Sequence, residues 1–229
     1  MTELEMANIV AHILADKDFI FVDRESYLEA VRTALYEYSS YYPKRSFHIL
    51  SVDTIDGSLE YDLSDFPNWD NFFSVVIGLE LHRVENLPDR IVSGTYVKSN
   101  YYDVVYNDIT GSYKLRLLFR FRGDLKVYYT VPYNSLSEVS FSDLHGIKYL
   151  AAYYACLSAS SKASQLVENY IGAEKMMFDR RAKNFMELAE KYKKQAYSLL
   201  NIPDGGIYPF SSTIAIPYIE RRRAIRRTT

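Results

Sequence analysis

The chain has 229 residues, of which 48% are hydrophobic, so it is long enough to bury a core of its own. Its formal net charge of −2 gives the whole molecule no strong attraction to nucleic acid. The single cysteine, Cys156, excludes an internal disulfide and any cysteine-ligated metal cluster.

Two helices are predicted within residues 1–44. Apolar residues recur every three or four positions from Leu4 to Ala15, which indicates a first helix. Asp23 can cap a second helix, which Pro43 ends. The apolar face of this second helix consists of Tyr27, Val31, Ala34, Leu35 and Tyr38.

The middle of the chain, residues 45–132, is predicted to be rich in β-strands. Asp56-Gly57 separates two apolar runs and predicts a hairpin with a two-residue turn, in which both residues need positive φ. Gly111 and Gly123-Asp124 are expected to supply turns between the last three strands. The predicted strands are 47–55, 59–63, 72–81, 101–106, 113–121 and 125–131.

Helices are predicted again in residues 133–200. Ser142 or Asp143 opens one, and the polar pair Ser160-Ser161 is expected to separate it from a helix at about 174–200, roughly 40 Å long. The apolar seam of the long helix alternates large and small residues: Phe178, Ala182, Phe185, Ala189, Tyr192, Ala196 and Leu199. The sequence therefore predicts an α+β fold, a bundle of N- and C-terminal helices with a β-rich insertion.

Residues 201–229 are predicted to form an extended C-terminal arm, because their prolines and glycines forbid a long helix. The arm is apolar and has a basic tip, which favours docking on another protein chain over folding back as a final strand. Its candidate partner-binding residues are Tyr208, Phe210, Ile214, Ile216, Tyr218, Arg221, Arg222, Arg223, Arg226 and Arg227.

The sequence contains no phosphate-binding glycine motif and no nucleophile elbow. The histidines occur singly, so no metal ligands, cofactor-binding residues or catalytic residues are predicted. Asp143 is interpreted as part of a helix start and His145 as a surface or packing residue. An enzyme whose site forms only in three dimensions remains the alternative. Another is a nucleic-acid-binding module, because the five arginines of the tip could contact phosphates.

Five segments in order resemble the head-to-tail adaptor, or connector, proteins of tailed bacteriophages. They are the helix ESYLEAVRTALYEYSSYYP (25–43), the tract FPNWDNFFSVVIGLELHRVENLPDRI (66–91), KVYYTVPYNSL (126–136), LHGIKYLAAYYACLSASSKAS (144–164) and RRAKNFMELAEKYKKQAYSLL (180–200). Together they extend over about residues 20–200. Another phage neck or tail-completion protein is the alternative within the same class.

The resemblance implies a non-enzymatic virion protein of the neck, assembled in the host cytoplasm. Such adaptors form a ring, usually of twelve copies, beneath the portal. They extend the DNA channel without binding DNA specifically, and they dock a downstream neck or tail protein. The arm would bind the portal, and the β-rich region would form an outer wall or a tail-facing surface.

The charge distribution is compatible with such a ring. Residues 1–110 carry 8 Lys and Arg against 19 Asp and Glu, whereas residues 111–229 carry 19 against 10. These acidic and basic parts could meet head to tail between neighbouring copies, unless the asymmetry has no functional consequence. No segment is apolar enough over about 18 residues to cross a membrane, and no signal peptide is recognised, so a soluble protein is expected.

Overall fold

A computed structural model describes residues 1–16, 18–19, 21–84, 95–108, 110–169 and 173–203. The described chain has an α+β fold with four helices and two β-sheets, which confirms the predicted class. It divides into two compact units. The helical unit contains Met1–Tyr41 and the described residues from Tyr133 onward, and the β unit contains Tyr42–Pro132.

The helical unit contains helices from both ends of the chain. They are α1 (Glu3–Ile13), α2 (Arg24–Tyr41), α3 (Phe141–Asn169) and α4 (Ala173–Leu200). All four contribute to one apolar core, in which α3 packs against each of the other three helices. Within the described chain, no helix combines the length and the apolar composition needed to cross a bilayer.

Side chains fix where the first two helices begin. Thr2 and Glu5 form a capping box at α1: the Thr2 hydroxyl accepts from Glu5 N, and Thr2 N donates to the Glu5 carboxylate. Asp23 caps α2 by accepting from Ser26 N at 2.8 Å, as predicted. The apolar face predicted for α2 is confirmed, since all five of its residues are buried.

The link between α1 and α2 is organised by one buried carboxylate. Asp16 is 3% exposed and accepts hydrogen bonds from Phe21 N, Val22 N and the Tyr27 hydroxyl, at 3.0–3.1 Å for the closest oxygen of each. These bonds satisfy a buried charge and join the loop to the first turn of α2.

Helix α3 does not break at Ser160-Ser161, contrary to the prediction. Ser160 is 6% exposed, and its hydroxyl donates to the carbonyl oxygen of Ala182 in α4 at 3.0 Å. This bond satisfies the polar side chain inside the helix–helix contact, so a serine there does not require a loop. Small residues on the buried side of α4 allow the two helices to approach closely: Ala182, Ala189 and Ala196.

The β unit consists of two antiparallel sheets. One sheet has the strand order β1-β7-β3-β4 and the other β2-β6-β5. The strands are β1 (Lys44–Asp53), β2 (Glu60–Asp62), β3 (Val76–Val84), β4 (Thr95–Val97), β5 (Tyr102–Asn107), β6 (Ser112–Leu117) and β7 (Arg122–Val131).

The two sheets share one apolar core. Burial alternates along β7, so that Leu125, Val127 and Tyr129 point inward. They meet Leu115 and Leu117 from the other sheet. Each fully buried leucine of this kind stabilises the fold by about 1.5–3 kcal/mol relative to an exposed one.

The predicted hairpin at Asp56-Gly57 is wrong. Strand β1 pairs with β7 along its whole length, from Lys44 opposite Val131 to Asp53 opposite Arg122, and β2 pairs with β6. Neither residue has the positive φ that the predicted turn requires. The Asp53 carboxylate instead accepts from Ile55 N and Asp56 N, which turns the chain away from β1.

The predicted turn at Gly123-Asp124 is also wrong, because Gly123 lies inside β7 and pairs with both Val52 and Val84. Strands β6 and β7 belong to different sheets and are not hairpin neighbours. The turn predicted at Gly111 is correct: it joins β5 to β6 with a φ of 65°.

Candidate functional site

The ten arm residues predicted to bind the portal lie outside the described residues, which end at Pro203. The described chain shows how the helix before them ends. Asn201 adopts a left-handed conformation with a φ of 54°, and Ile202 N donates to the Tyr197 carbonyl at 2.9 Å. This is the usual way in which a helix is terminated by a residue of positive φ.

Asp143 has hydrogen-bond partners in the structure, and Cys156 is buried. Asp143 lies in the first turn of α3, where its N–H reaches Ser140 O, and its carboxylate accepts from the Tyr38 hydroxyl at 2.8 Å. Cys156 is fully buried, and burial raises the pKa of its thiol to about 12.

The histidines lie apart. Exposed His145 on α3 has its Nδ1 3.1 Å from Lys148 Nζ, and the His48 ring centroid in β1 lies 4.7 Å from that of Phe66. In the described ranges, no three His, Cys, Asp or Glu side chains are grouped so that they could hold a metal ion.

The first candidate surface is on the four-stranded sheet of the β unit, on the side away from the core. We call it the aromatic sheet face. Its members are neighbours across the strands, since Phe47 is opposite Tyr128, Ile49 is opposite Lys126, and Glu80 is opposite both Lys126 and Tyr96. It is defined by Phe47, Ile49, Glu80, Tyr96, Lys126 and Tyr128.

Contacts within this face hold its side chains in place. Lys126 Nζ lies 4.2 Å from the ring centroid of Phe47 and 4.9 Å from that of Tyr128. Tyr128 stacks with Tyr96 and donates a hydrogen bond to Glu80. Burial, followed by the bond to Glu80, raises the pKa of Tyr128, so its hydroxyl stays a donor at neutral pH.

The aromatic sheet face is open to solvent at its edges. Phe47 is 52% exposed, Ile49 43% and Tyr96 38%. Large apolar and aromatic side chains gathered on one face, with few charged groups, are typical of a surface that binds another protein.

The second candidate surface is a groove between α1 and the start of α3, which we call the N-terminal groove. Its volume is about 600 Å³. Phe141, the first residue of α3, lies at the groove and is 76% exposed. The groove is lined mainly by apolar side chains: Met1, Glu5, Asn8, Ile9, Phe141 and Leu144.

The third candidate surface runs along α4. Met177, Leu188 and Leu199 are each 37–46% exposed and occur every eleven residues, a spacing that places them on one side of a helix. We call these three residues the α4 stripe. Leu199 was predicted to belong to the packed seam, but it is exposed and Leu200 is buried instead. The buried side of α4 is therefore displaced by one residue at its C-terminal end.

None of these three surfaces was predicted from the sequence. A signal for the sheet face exists, because β1 carries apolar residues on both sides of the strand, as in Phe47 and Ile49 beside Leu50 and Val52. The α4 stripe is visible as an eleven-residue repeat once the seam has been assigned. The N-terminal groove has no sequence signal, since it joins residues about 130 positions apart.

No family model matches this chain, and no curated protein or solved structure is significantly similar to it.

Proposed function

We propose that this protein is a structural adaptor of a tailed phage, which forms a ring beneath the portal and docks a neck or tail protein below. The observation that carries this proposal is the division of the chain into a helical bundle and an inserted β unit, each with exposed apolar side chains. A protein that joins two assemblies and its own copies needs several separate binding surfaces.

The positions of the resembling segments support the proposal. Three of them, residues 25–43, 144–164 and 180–200, fall on α2, α3 and α4. These helices pack on one core although residues 42–132 separate α2 from α3. These three segments therefore belong to one compact unit, whereas residues 66–84 and 126–132 of the other two lie in the β unit.

We assign the C-terminal arm to the portal and the aromatic sheet face to the downstream neck or tail protein. The arm combines apolar residues with five arginines, whose planar guanidinium groups bind carboxylates on a protein partner. The sheet face offers rigid aromatic rings beside one lysine and one glutamate, which allows both apolar burial and orientation of the partner.

In this proposal DNA passes through the ring without specific binding. A channel that held many phosphates would release counterions and retain the DNA, which would oppose its ejection. The net charge of −2 on each copy is compatible with weak contact.

The test compares a truncated variant with a point variant of the protein. Deletion of residues 204–229 should abolish sedimentation with purified portal rings of the same phage, whereas Phe47→Asp should leave portal binding unchanged. Phe47→Asp, in turn, should prevent docking of the neck or tail protein on adaptor–portal complexes. Portal binding that survives the deletion would contradict the role of the arm, and failure of the intact protein to bind portal would overturn the function.

The arginine-rich tip supports one further candidate, a nucleic-acid-binding module. Five arginines occur within residues 221–227. Under this alternative, duplex DNA would bind with an affinity that falls steeply with salt and disappears when all five are replaced by glutamine. A docked adaptor predicts instead weak DNA binding that the replacement barely changes.

A further inference from the structure

The N-terminal groove and the α4 stripe lie on different sides of the helical unit. Leu144 of α3 lines the groove beside α1, whereas Gly146 of α3 meets Leu200 of α4. Residues two apart in a helix are rotated by about 200°, so the groove and the end of α4 lie on different sides of α3 at this level. Farther along, the Tyr192 hydroxyl of α4 donates to the Ile13 carbonyl of α1. On α4 itself, buried Ala189 and Ala196 face inward, while the stripe is exposed.

The helices at the two ends of the helical unit's sequence carry opposite net charge. Residues 1–41, which include α1 and α2, contain eight Asp and Glu against three Lys and Arg. Residues 173–200, which form α4, contain seven Lys and Arg against four Asp and Glu. Within the helical unit the acidic excess therefore lies in α1, α2 and the link between them, and the basic excess lies in α4.

Charged side chains accompany the apolar ones at both surfaces. Arg180 follows Met177 by three positions and Lys191 follows Leu188 by three, which places each cation beside a stripe residue. Within the described chain neither of these cations forms an ion pair. Glu5 lies in the wall of the groove.

We propose that the N-terminal groove of one copy receives the α4 stripe of the next copy. Leu188 would pack against Ile9 and the exposed ring of Phe141, with Lys191 close to Glu5. Because the two surfaces are different, the contact is head to tail, and repeated copies form a chain that can close into a ring. This inference supplies the contact between copies that the proposed adaptor function requires.

A symmetric contact is less favourable at either surface. Two α4 stripes facing each other would bring Arg180 and Lys191 of both copies together, and two grooves would oppose their glutamates. Like charges placed opposite each other in an interface reduce affinity, whereas the groove–stripe contact pairs opposite charges.

Mixing two full-length variants tests the contact. Phe141→Asp blocks the groove, and Leu188→Asp blocks the stripe; both positions are already solvent-accessible, so both variants should fold. Each variant alone should lose self-association by roughly tenfold or more. An equimolar mixture should form heterodimers, because the intact stripe of Phe141→Asp can bind the intact groove of Leu188→Asp. Nothing larger should form, because the other groove and the other stripe of the heterodimer are both blocked.

A matched control is Leu166→Asp, which places the same charge at a residue of α3 that is 38% exposed. It should self-associate like the unmodified protein in sedimentation velocity. If Phe141→Asp alone still dimerises, or the mixture contains no heterodimer, the head-to-tail contact is wrong.

A cross-linking experiment reports on weak association. The variant with both Ile9→Cys and Leu188→Cys should give a ladder of disulfide-linked multimers on oxidation, whereas either single variant should stay monomeric. A protein that binds portal rings without this ladder would overturn the contact and leave the adaptor function intact. A ladder without portal binding would support the contact and overturn the function.

Discussion

Leu200, the last residue of α4, occupies the space that a side chain on Gly146 of α3 would need. A Cβ atom built on Gly146 would lie 2.3 Å from Leu200 Cγ, far inside contact distance, and Leu200 is 3% exposed. The end of α4 can therefore pack closely against α3 because Gly146 has no side chain.

Gly146→Ala should destabilise the protein even though alanine favours helices. Overpacking a core usually costs about 1–3 kcal/mol, which equals or exceeds the roughly 1 kcal/mol that alanine gains over glycine in a helix. Urea unfolding checks this, with Ser142→Ala on the exposed side of α3 as control. In the double variant with Leu200→Ala the two losses should be less than additive; full additivity would contradict the clash.

Asp16→Asn should lower the free energy of unfolding by about 1–3 kcal/mol, because an amide has one acceptor oxygen where the carboxylate has two. At least one of the donors from Phe21, Val22 and Tyr27 would then lose its partner. The exposed Asp18→Asn is the matched control and should change stability by less than about 0.5 kcal/mol. Equal effects of both variants would show that Asp16 does not organise the loop.

Asp23 should make the stability of the helical unit sensitive to acid. Lys162 of α3, followed by the cap bonds from Ser26, lowers the pKa of Asp23 below its unfolded value. A lowered folded pKa means that the stabilisation is present above about pH 4 and is lost as the pH falls further. The urea midpoint of Asp23→Asn should thus lie below that of the unmodified protein at pH 7, and the gap should narrow toward pH 2. A gap that is constant with pH would refute the linkage.

Cys156 should react slowly in the folded protein. With a thiol pKa of about 12, the thiolate that attacks a disulfide reagent is scarce at pH 8, and burial also blocks access. Reaction with a chromogenic disulfide should accelerate by roughly a hundredfold or more in denaturant. Rapid labelling under native conditions would show that α3 opens at this position.

Phe47→Ala and Leu125→Ala should differ in their effect on stability, because Phe47 lies on the proposed binding face and Leu125 lies in the core. Phe47 is 52% exposed on one side of its sheet, and Leu125 is fully buried on the other. Truncation of Leu125 should cost about 2–5 kcal/mol, whereas truncation of Phe47 should cost less than about 1 kcal/mol. Thermal unfolding of the two variants measures the contrast; a large loss at Phe47 would assign it a structural role instead.

The sequence predicted the helices better than the strand pairing, and the physical reason is distance along the chain. The face of α2 follows from a local 3.6-residue period, and the Asp23 cap from three neighbouring positions. The partner of β1 is β7, some 80 residues away, and no local pattern indicates it. Asp56-Gly57 resembled a hairpin turn, but the long-range pairing determined the topology.

The candidate site shows the same limit. The apolar C-terminal arm was predicted from composition alone, and it lies outside the described residues. The N-terminal groove exists only because Ile9 and Phe141 come together in space, and the periodicity of neither helix indicates this. A serine such as Ser160 was interpreted as a helix break because its acceptor, the carbonyl of Ala182, belongs to another helix.

The chain leaves the helical unit and re-enters it at adjacent points. Tyr133 N donates to the Ser39 hydroxyl at 3.1 Å, and the ring centroids of Tyr133 and Tyr38 lie 5.5 Å apart, so the chain leaves α2 and returns beside it. Residues 42–132, which number 91, are thus inserted between two neighbouring points of the helical unit. Holding the ends of such an insertion together costs little additional conformational entropy. An insertion of another shape with similarly spaced ends could therefore replace the β unit without changes to the helices that carry it.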